Sequence, residues 1–209
     1  TLPLHGMLSS LAFNYNHRNK NVRLYELAKV YLPKSLPLTE LPDERVQFTL
    51  GMYGEGDFYV MKGVVEEFFS KAGIRGKLSY DPKAGKTFLH PGRQANIMYH
   101  GEVMGYLGEI HPQVADNYGI GDKAYVAVLD MPVVVKYADF DRKFTGIARF
   151  PAVTRDLSMV VPHEILAGDI EDMIIQRGGK ILESYQLFDV YEGSQIKAGY
   201  KSMAYSVVF

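Results

Sequence analysis

The sequence predicts an α+β protein of two units, a larger one built on an antiparallel sheet and a smaller one of βαββ order. Three observations carry this. Apolar residues at helical spacing open the chain and recur after Asp57, while the segments between them alternate apolar and polar as half-buried strands do. A polar crossing at residues 137–146 leads into a proline-marked stretch at 149–161. Beyond it the patterns run strand, helix, strand, strand.

In order, Leu4, Met7, Leu8, Leu11, Ala12 and Tyr15 fall on one helical stripe, ended by Asn19, Lys20 and Asn21. Val22, Leu24, Ala28, Val30 and Leu32 alternate as a strand. Pro33, Pro37 and Pro42 mark a loop, and Val46, Phe48, Leu50 and Met52 a second strand. Asp57 is placed to cap a helix with the stripe Phe58, Met61, Val65, Phe68, Phe69 and Ala72, stopped by Gly73. A hairpin follows at 95–110 with its turn at His100 and Gly101, then a short helix opened by Pro112, then a strand over 124–131.

The last unit reads as strand 156–161, helix 162–177, strand 182–191 and strand 201–209. Leu166, Ile170, Met173 and Ile174 line one face of its helix. Alternation places Leu157, Met159, Val161, Leu187, Met203 and Tyr205 toward the helix. Asp156, Ser158, Phe188, Ser202 and Ala204 fall on the opposite face. This order is the first part of the ferredoxin-like βαββαβ motif, short of one helix and one strand. Because the chain stops within an apolar strand at Phe209, it is expected to be a piece of a longer chain.

Composition narrows the chemistry. The 209 residues are 47% hydrophobic and 22% charged, ordinary for a globular chain with a core. No apolar run approaches the roughly 20 residues of a membrane-spanning helix. No signal-peptide pattern opens the chain, so a cytoplasmic protein without a membrane partner is expected. Zero cysteines exclude disulfides, thiolate metal sites and cysteine nucleophiles. The six histidines show no metal-ligand spacing, so no metal site is expected. Net charge is −1, and residues 149–209 hold six Lys/Arg against eight Asp/Glu. A nucleic-acid partner would therefore be met by a local patch rather than a general basic field.

Particular phrases carry a resemblance. Phe150, Pro151, Ala152, Val153, Arg155, Asp156 and Leu157 are similar to the opening of the ferredoxin-fold anticodon-binding domain that ends the β chain of bacterial phenylalanyl-tRNA synthetase. His90 through Arg93, and Gly105 through Pro112, resemble that family's catalytic-like domain in the same order. Residues 23–31 are similar to its version of class II motif 1. The resemblance implies a class II synthetase-like antiparallel sheet domain at 1–140, a linker at 141–149 and a truncated ferredoxin-fold anticodon-binding domain at 150–209. It also implies a partner α chain, tRNA(Phe), and a second αβ pair in an (αβ)₂ tetramer. No cofactor is expected in this part, whereas the intact complex would use ATP and Mg²⁺ on the α chain.

The catalytic motifs of class II synthetases are absent, so no catalytic residue is assigned. Motif 2 needs an Arg two residues before an acid, and the nearest phrase, Arg23 to Glu26, is one residue too long. The glycine phrase at Gly105 and Gly108 leads to Glu109 rather than to an Arg. Arg can grip phosphate bidentately, and no residue found here replaces it. Candidate RNA contacts are Arg155, Lys180, Lys197 and Lys201 for phosphates and Phe188 for base stacking. The α chain is expected to dock on Leu4, Leu8, Leu11 and Tyr15. Two other readings remain open at this point. One is a single-chain organellar synthetase, which the missing motif arginines oppose. The other is a non-enzymatic binding module with a ferredoxin-like ligand-sensing domain.

Overall fold

The computed structural model describes residues 2–141, 144 and 151–209. Arg149, Phe150 and most of the 141–149 linker thus lie outside the described residues. The chain divides into two compact units, Thr1–Lys143 and Phe144–Phe209.

The larger unit runs α1 (Leu4–Asn16), β1 (Val22–Leu32), β2 (Asp43–Tyr53), α2 (Phe58–Lys71), β3 (Ser79–Asp81), β4 (Leu89–Tyr99), β5 (Glu102–Ile110), α3 (Pro112–Tyr118), β6 (Ala124–Asp130) and α4 (Met131–Tyr137). Its six strands form one antiparallel sheet in the order β1-β2-β6-β5-β4-β3. The Asp57 side chain accepts the Val60 amide at 2.9 Å, satisfying one of the free donors that open α2. Pro112 sits in the first turn of α3, where a missing N–H costs nothing, and His111 caps it by accepting from the Gln113 amide.

Both faces of this sheet are covered. On one, α1 and α3 pack Leu8, Leu11 and Ala115 onto Val126, Ile110 and Tyr53. On the other, α2 and α4 pack Val65, Phe69 and Val134 onto Leu107, Ala127 and Leu129. Close approach of α1 requires Gly51, since a Cβ there would stand 2.7 Å from the Met7 side chain. Burial from both sides explains why residues 124–129 are all buried, a run too uniformly apolar for a strand with one wet face.

Two elements differ from the expectation. The strand expected over 124–131 ends at Asp130, and residues 131–137, for which no helix was expected, form α4, held by the buried contact of Val134 and the proline in its first turn. The three-residue β3 was not anticipated, and it pairs with residues 96–98 of β4.

The smaller unit runs β7 (Thr154–Pro162), α5 (Ala167–Gly178), a 3₁₀ turn (Gly179–Ile181), β8 (Ser184–Tyr191) and β9 (Tyr200–Val208). Its sheet has the order β7-β9-β8, both pairs antiparallel. The helix starts five residues later than expected. Residues 162–165 close a turn through the Ile165 amide and the Pro162 carbonyl, and the Leu166 amide donates to Asp169 at 3.1 Å. Ile170 and Ile174 pack on Met203, Tyr205 and Val207 as the core of this unit. Met173 does not join them and stands 62% exposed, and Leu166 is exposed as well. Leu157 shares its face with Met159 and Val161 but is 42% exposed on the edge strand β7, although its partner Tyr205 is fully buried. Among the described residues no helix is long and apolar enough to cross a membrane.

Candidate functional site

In the smaller unit α5 covers one face of the sheet, and no described element covers the other. Cross-strand pairing builds that open face from Asp156 beside Ser206, Ser158 beside Ala204 and Val160 beside Ser202. These side chains are small or polar, so the surface is low and lets a planar group approach closely. The edge strand β8 supplies its aromatic. Between Leu187 and Asp189 the register slips by one residue, leaving Phe188 as the extra one. Past the slip Val190 pairs with Met203 and Tyr191 with Ser202, which turns Tyr191 onto the open face at 42% exposure. Phe188 itself is 55% exposed.

The candidate cations are not gathered into one patch. Arg155 pairs in register with Val207 and Lys201 with Val161, so both belong to the α5 side of the sheet rather than the open face. Six residues of β9 separate Lys201 from Val207, the partner of Arg155, on the order of 20 Å. The Arg155 guanidinium donates to the adjacent Thr154 carbonyl at 3.0 Å. Lys180 lies in the 3₁₀ turn after α5, and Lys197 sits between β8 and β9 with its ammonium 5.3 Å from the Tyr200 ring centroid.

In the larger unit the expected docking stripe is internal. Leu4, Leu8 and Leu11 are buried in the chain's own core, Leu11 completely, and Tyr15 packs edge-on against Tyr53. An apolar stripe consumed by its own sheet has nothing left to offer a partner, so the docking assignment is corrected. What α1 leaves outside is Phe13, 63% exposed, beside a groove of about 600 Å³ between α1 and β1 lined by Gly6, Ser10, Phe13, Leu24, Tyr25 and Glu26.

Residues with a catalytic appearance resolve into structural pairs. Arg23 pairs with Met52 and Glu26 with Thr49, and a three-residue separation on a strand puts them on opposite faces. They cannot converge on one phosphate. Both carboxylate oxygens of the buried Glu109 accept from Arg93 at 2.9 Å, so this β4 arginine is held by its own sheet. Burial, and then the neighbouring Glu109, push the Tyr125 phenol above its ordinary range.

The family described as "Phenylalanyl tRNA synthetase beta chain CLM domain" matches residues 1–131, the six-stranded unit. The chain belongs to the phenylalanyl-tRNA synthetase β chain family. A second family, described as "Ferredoxin-fold anticodon binding domain", matches residues 148–209. The chain is 44% identical over 209 residues to the phenylalanine–tRNA ligase beta subunit of Clostridium tetani and 42% identical to that of Clostridium acetobutylicum, covering all of this chain and 26% of each relative. The Streptococcus thermophilus subunit is 37% identical over 216 residues, with 98% of this chain and 27% of the relative covered. The chain thus spans about a quarter of the length of these relatives. In solved structures, pyrrolysyl-tRNA synthetase from Desulfitobacterium hafniense aligns with a TM-score of 0.52 at 13% identity, over 64% of this chain and 47% of that one. That likeness concerns the fold alone.

Simple alternation along the sequence does not place Tyr191 on the open face. Counting by twos from the inward Leu187 sends Tyr191 to the α5 side, and the one-residue slip at Phe188 reverses it. The only trace in the sequence is that Leu187 and Val190, both apolar, stand three apart instead of two.

Proposed function

We propose that this chain is a non-catalytic part of a phenylalanine–tRNA ligase. The smaller unit binds the anticodon stem-loop of tRNA(Phe), and the larger unit assembles with an α chain that carries ATP and Mg²⁺ and forms the aminoacyl ester. The domain limits 1–140 and 150–209, an (αβ)₂ assembly and a cytoplasmic location belong to the same reading. The observation that supports it most directly is the open sheet face in a unit that matches an anticodon-binding family. Single-stranded bases splayed from a loop stack on aromatic side chains and bond through their edges, and Tyr191 with its Ser202 neighbour offers both kinds of contact. Placing nucleotide chemistry on another chain is supported by Arg23 and Glu26 facing opposite ways. For α-chain docking, the groove beside Phe13 and the edge strand β1 replace the buried leucines.

The test is binding of labelled tRNA(Phe) and of a mismatched tRNA to the 209-residue chain across a salt series. Affinity should fall as salt rises, and tRNA(Phe) should be preferred. Tyr191→Ala should weaken tRNA(Phe) binding by about five-fold or more, since one stacked base contributes ~1–3 kcal/mol. Unchanged affinity in Lys197→Glu with Lys201→Glu would remove those two lysines from the contact set. Absence of binding to either tRNA at low salt would sink the anticodon reading and leave the ligand-sensing one.

A further inference from the structure

The chain leaves the larger unit through residues 138–141, and this exit is fastened from two sides. At the end of α4, Lys136 Nζ pairs with Glu102 at 2.5 Å, and the Tyr137 ring meets Tyr99 edge-on with centroids 5.1 Å apart. Beyond α4 the Asp139 amide donates to the Ala72 carbonyl at 3.1 Å. The Arg75 guanidinium donates to the Asp141 carbonyl at 2.5 Å and stands 3.8 Å from the Asp139 carboxylate. The Tyr99 hydroxyl in turn donates to the Arg75 carbonyl at 2.5 Å, so the β4–β5 hairpin braces the loop that holds the exit. Gly73 completes the arrangement. It has φ +77°, and a Cβ at that position would overlap the Asp139 carbonyl oxygen.

These ties lie on an exposed stretch, since Asp139, Phe140 and the Arg75 side chain are all largely in water. Exposed segments at the end of a unit ordinarily fray. Here a glycine that leaves room for a backbone, a backbone bond into the end of α2 and an arginine across the top all act on the same three residues.

We propose that Gly73 and Arg75 are positioning residues that latch residues 139–141, fixing where the connection to the second unit begins. With the latch open, the connection would start about three residues earlier and its reach would grow by about 10 Å, at ~3.3–3.6 Å per extended residue. Any consequence for tRNA rests on the reading above; the latch does not.

Hydrogen exchange at the Asp139 amide, followed by NMR in the 209-residue chain, tests this directly. Gly73→Ala combines a strained φ with collision against residue 139. Gly119→Ala is the control, because Gly119 has φ +73° but nothing within 4 Å of its Cβ position. Exchange at Asp139 should rise at least ten-fold in Gly73→Ala and a few-fold in Arg75→Ala, and stay at the parent rate in Gly119→Ala. An unchanged rate in both latch variants, or an equal rise in the control, would overturn the proposal. Should Gly73→Ala fail to fold, the Arg75→Ala rate decides alone. Loss of tRNA binding in the parent chain would bear only on the functional reading, because exchange is read without RNA.

Discussion

β6 and β9 each have a strand on either side, yet their side chains are buried in different ways. Every residue at 124–129 is buried, because helices close both faces of the larger sheet. On β9 burial alternates, with Met203, Tyr205 and Val207 inside and Ser202, Ala204 and Ser206 only partly covered. The difference separates two uses of a sheet. One is a filled interior that fixes shape, and the other is half interior and half working surface. An apolar run therefore marks the scaffold, and alternation marks the place where a ligand can meet backbone-supported side chains.

Truncation probes the contrast most strongly. Leu129→Ala, at a site closed from both sides, should cost about 2–5 kcal/mol in chemical denaturation, and Met203→Ala should fall toward the lower end of that range because its surroundings can relax toward one side. Equal costs at the top of the range would break the comparison.

Alkali acts on buried tyrosines of both units, and Tyr205→Phe isolates the part that belongs to the smaller one. Burial, followed by the nearby Glu171, pushes the Tyr205 phenol up to about 12, and its hydroxyl donates to the Ala167 carbonyl at 3.3 Å. The unfolded chain loses this proton near the ordinary value of about 10. Stability from the buried neutral phenol is therefore complete below pH 10 and drains away as pH rises toward 12. Melting temperature should fall across that window, and Tyr205→Phe should flatten the fall. A parent curve already flat there would remove Tyr205 from the core.

The smallest expected effect is on the open face. Ser158→Ala should shift the unfolding free energy by no more than about 0.5 kcal/mol, measured in denaturant, because that side chain supports no packing. A loss of several times that amount would mean that the face is internal.

How much of this was legible depended on whether the decisive forces were local. Asp57 before an apolar stripe, and His111 with Pro112, announced α2 and α3 because caps act within a turn. The βαββ order followed from periodicity and glycine stops. Helix α4 was hidden, since three consecutive valines favour strand until Val134 finds its pocket among α2-side residues. The leucine stripe of α1 was correctly seen as one face, but periodicity shows only that a face is apolar, not whether the chain's own sheet consumes it. Arg93 could be paired with Glu109 only once β4 and β5 were in register, sixteen residues apart in sequence.

The slip at Phe188 gives β8 two halves in opposite phase. Residues before it follow one alternation, and Asp189, Val190 and Tyr191 follow the other. Deleting the extra residue at this point would straighten the strand and leave everything beyond the cut paired and facing as before. A regular strand that kept Phe188 in the ladder would instead turn Tyr191 to the α5 side and Val190 to the open face. The strand's last three residues therefore owe their facing to the bulge that takes Phe188 out of the ladder, and the aromatic on the open face persists only while that residue stays out of the count.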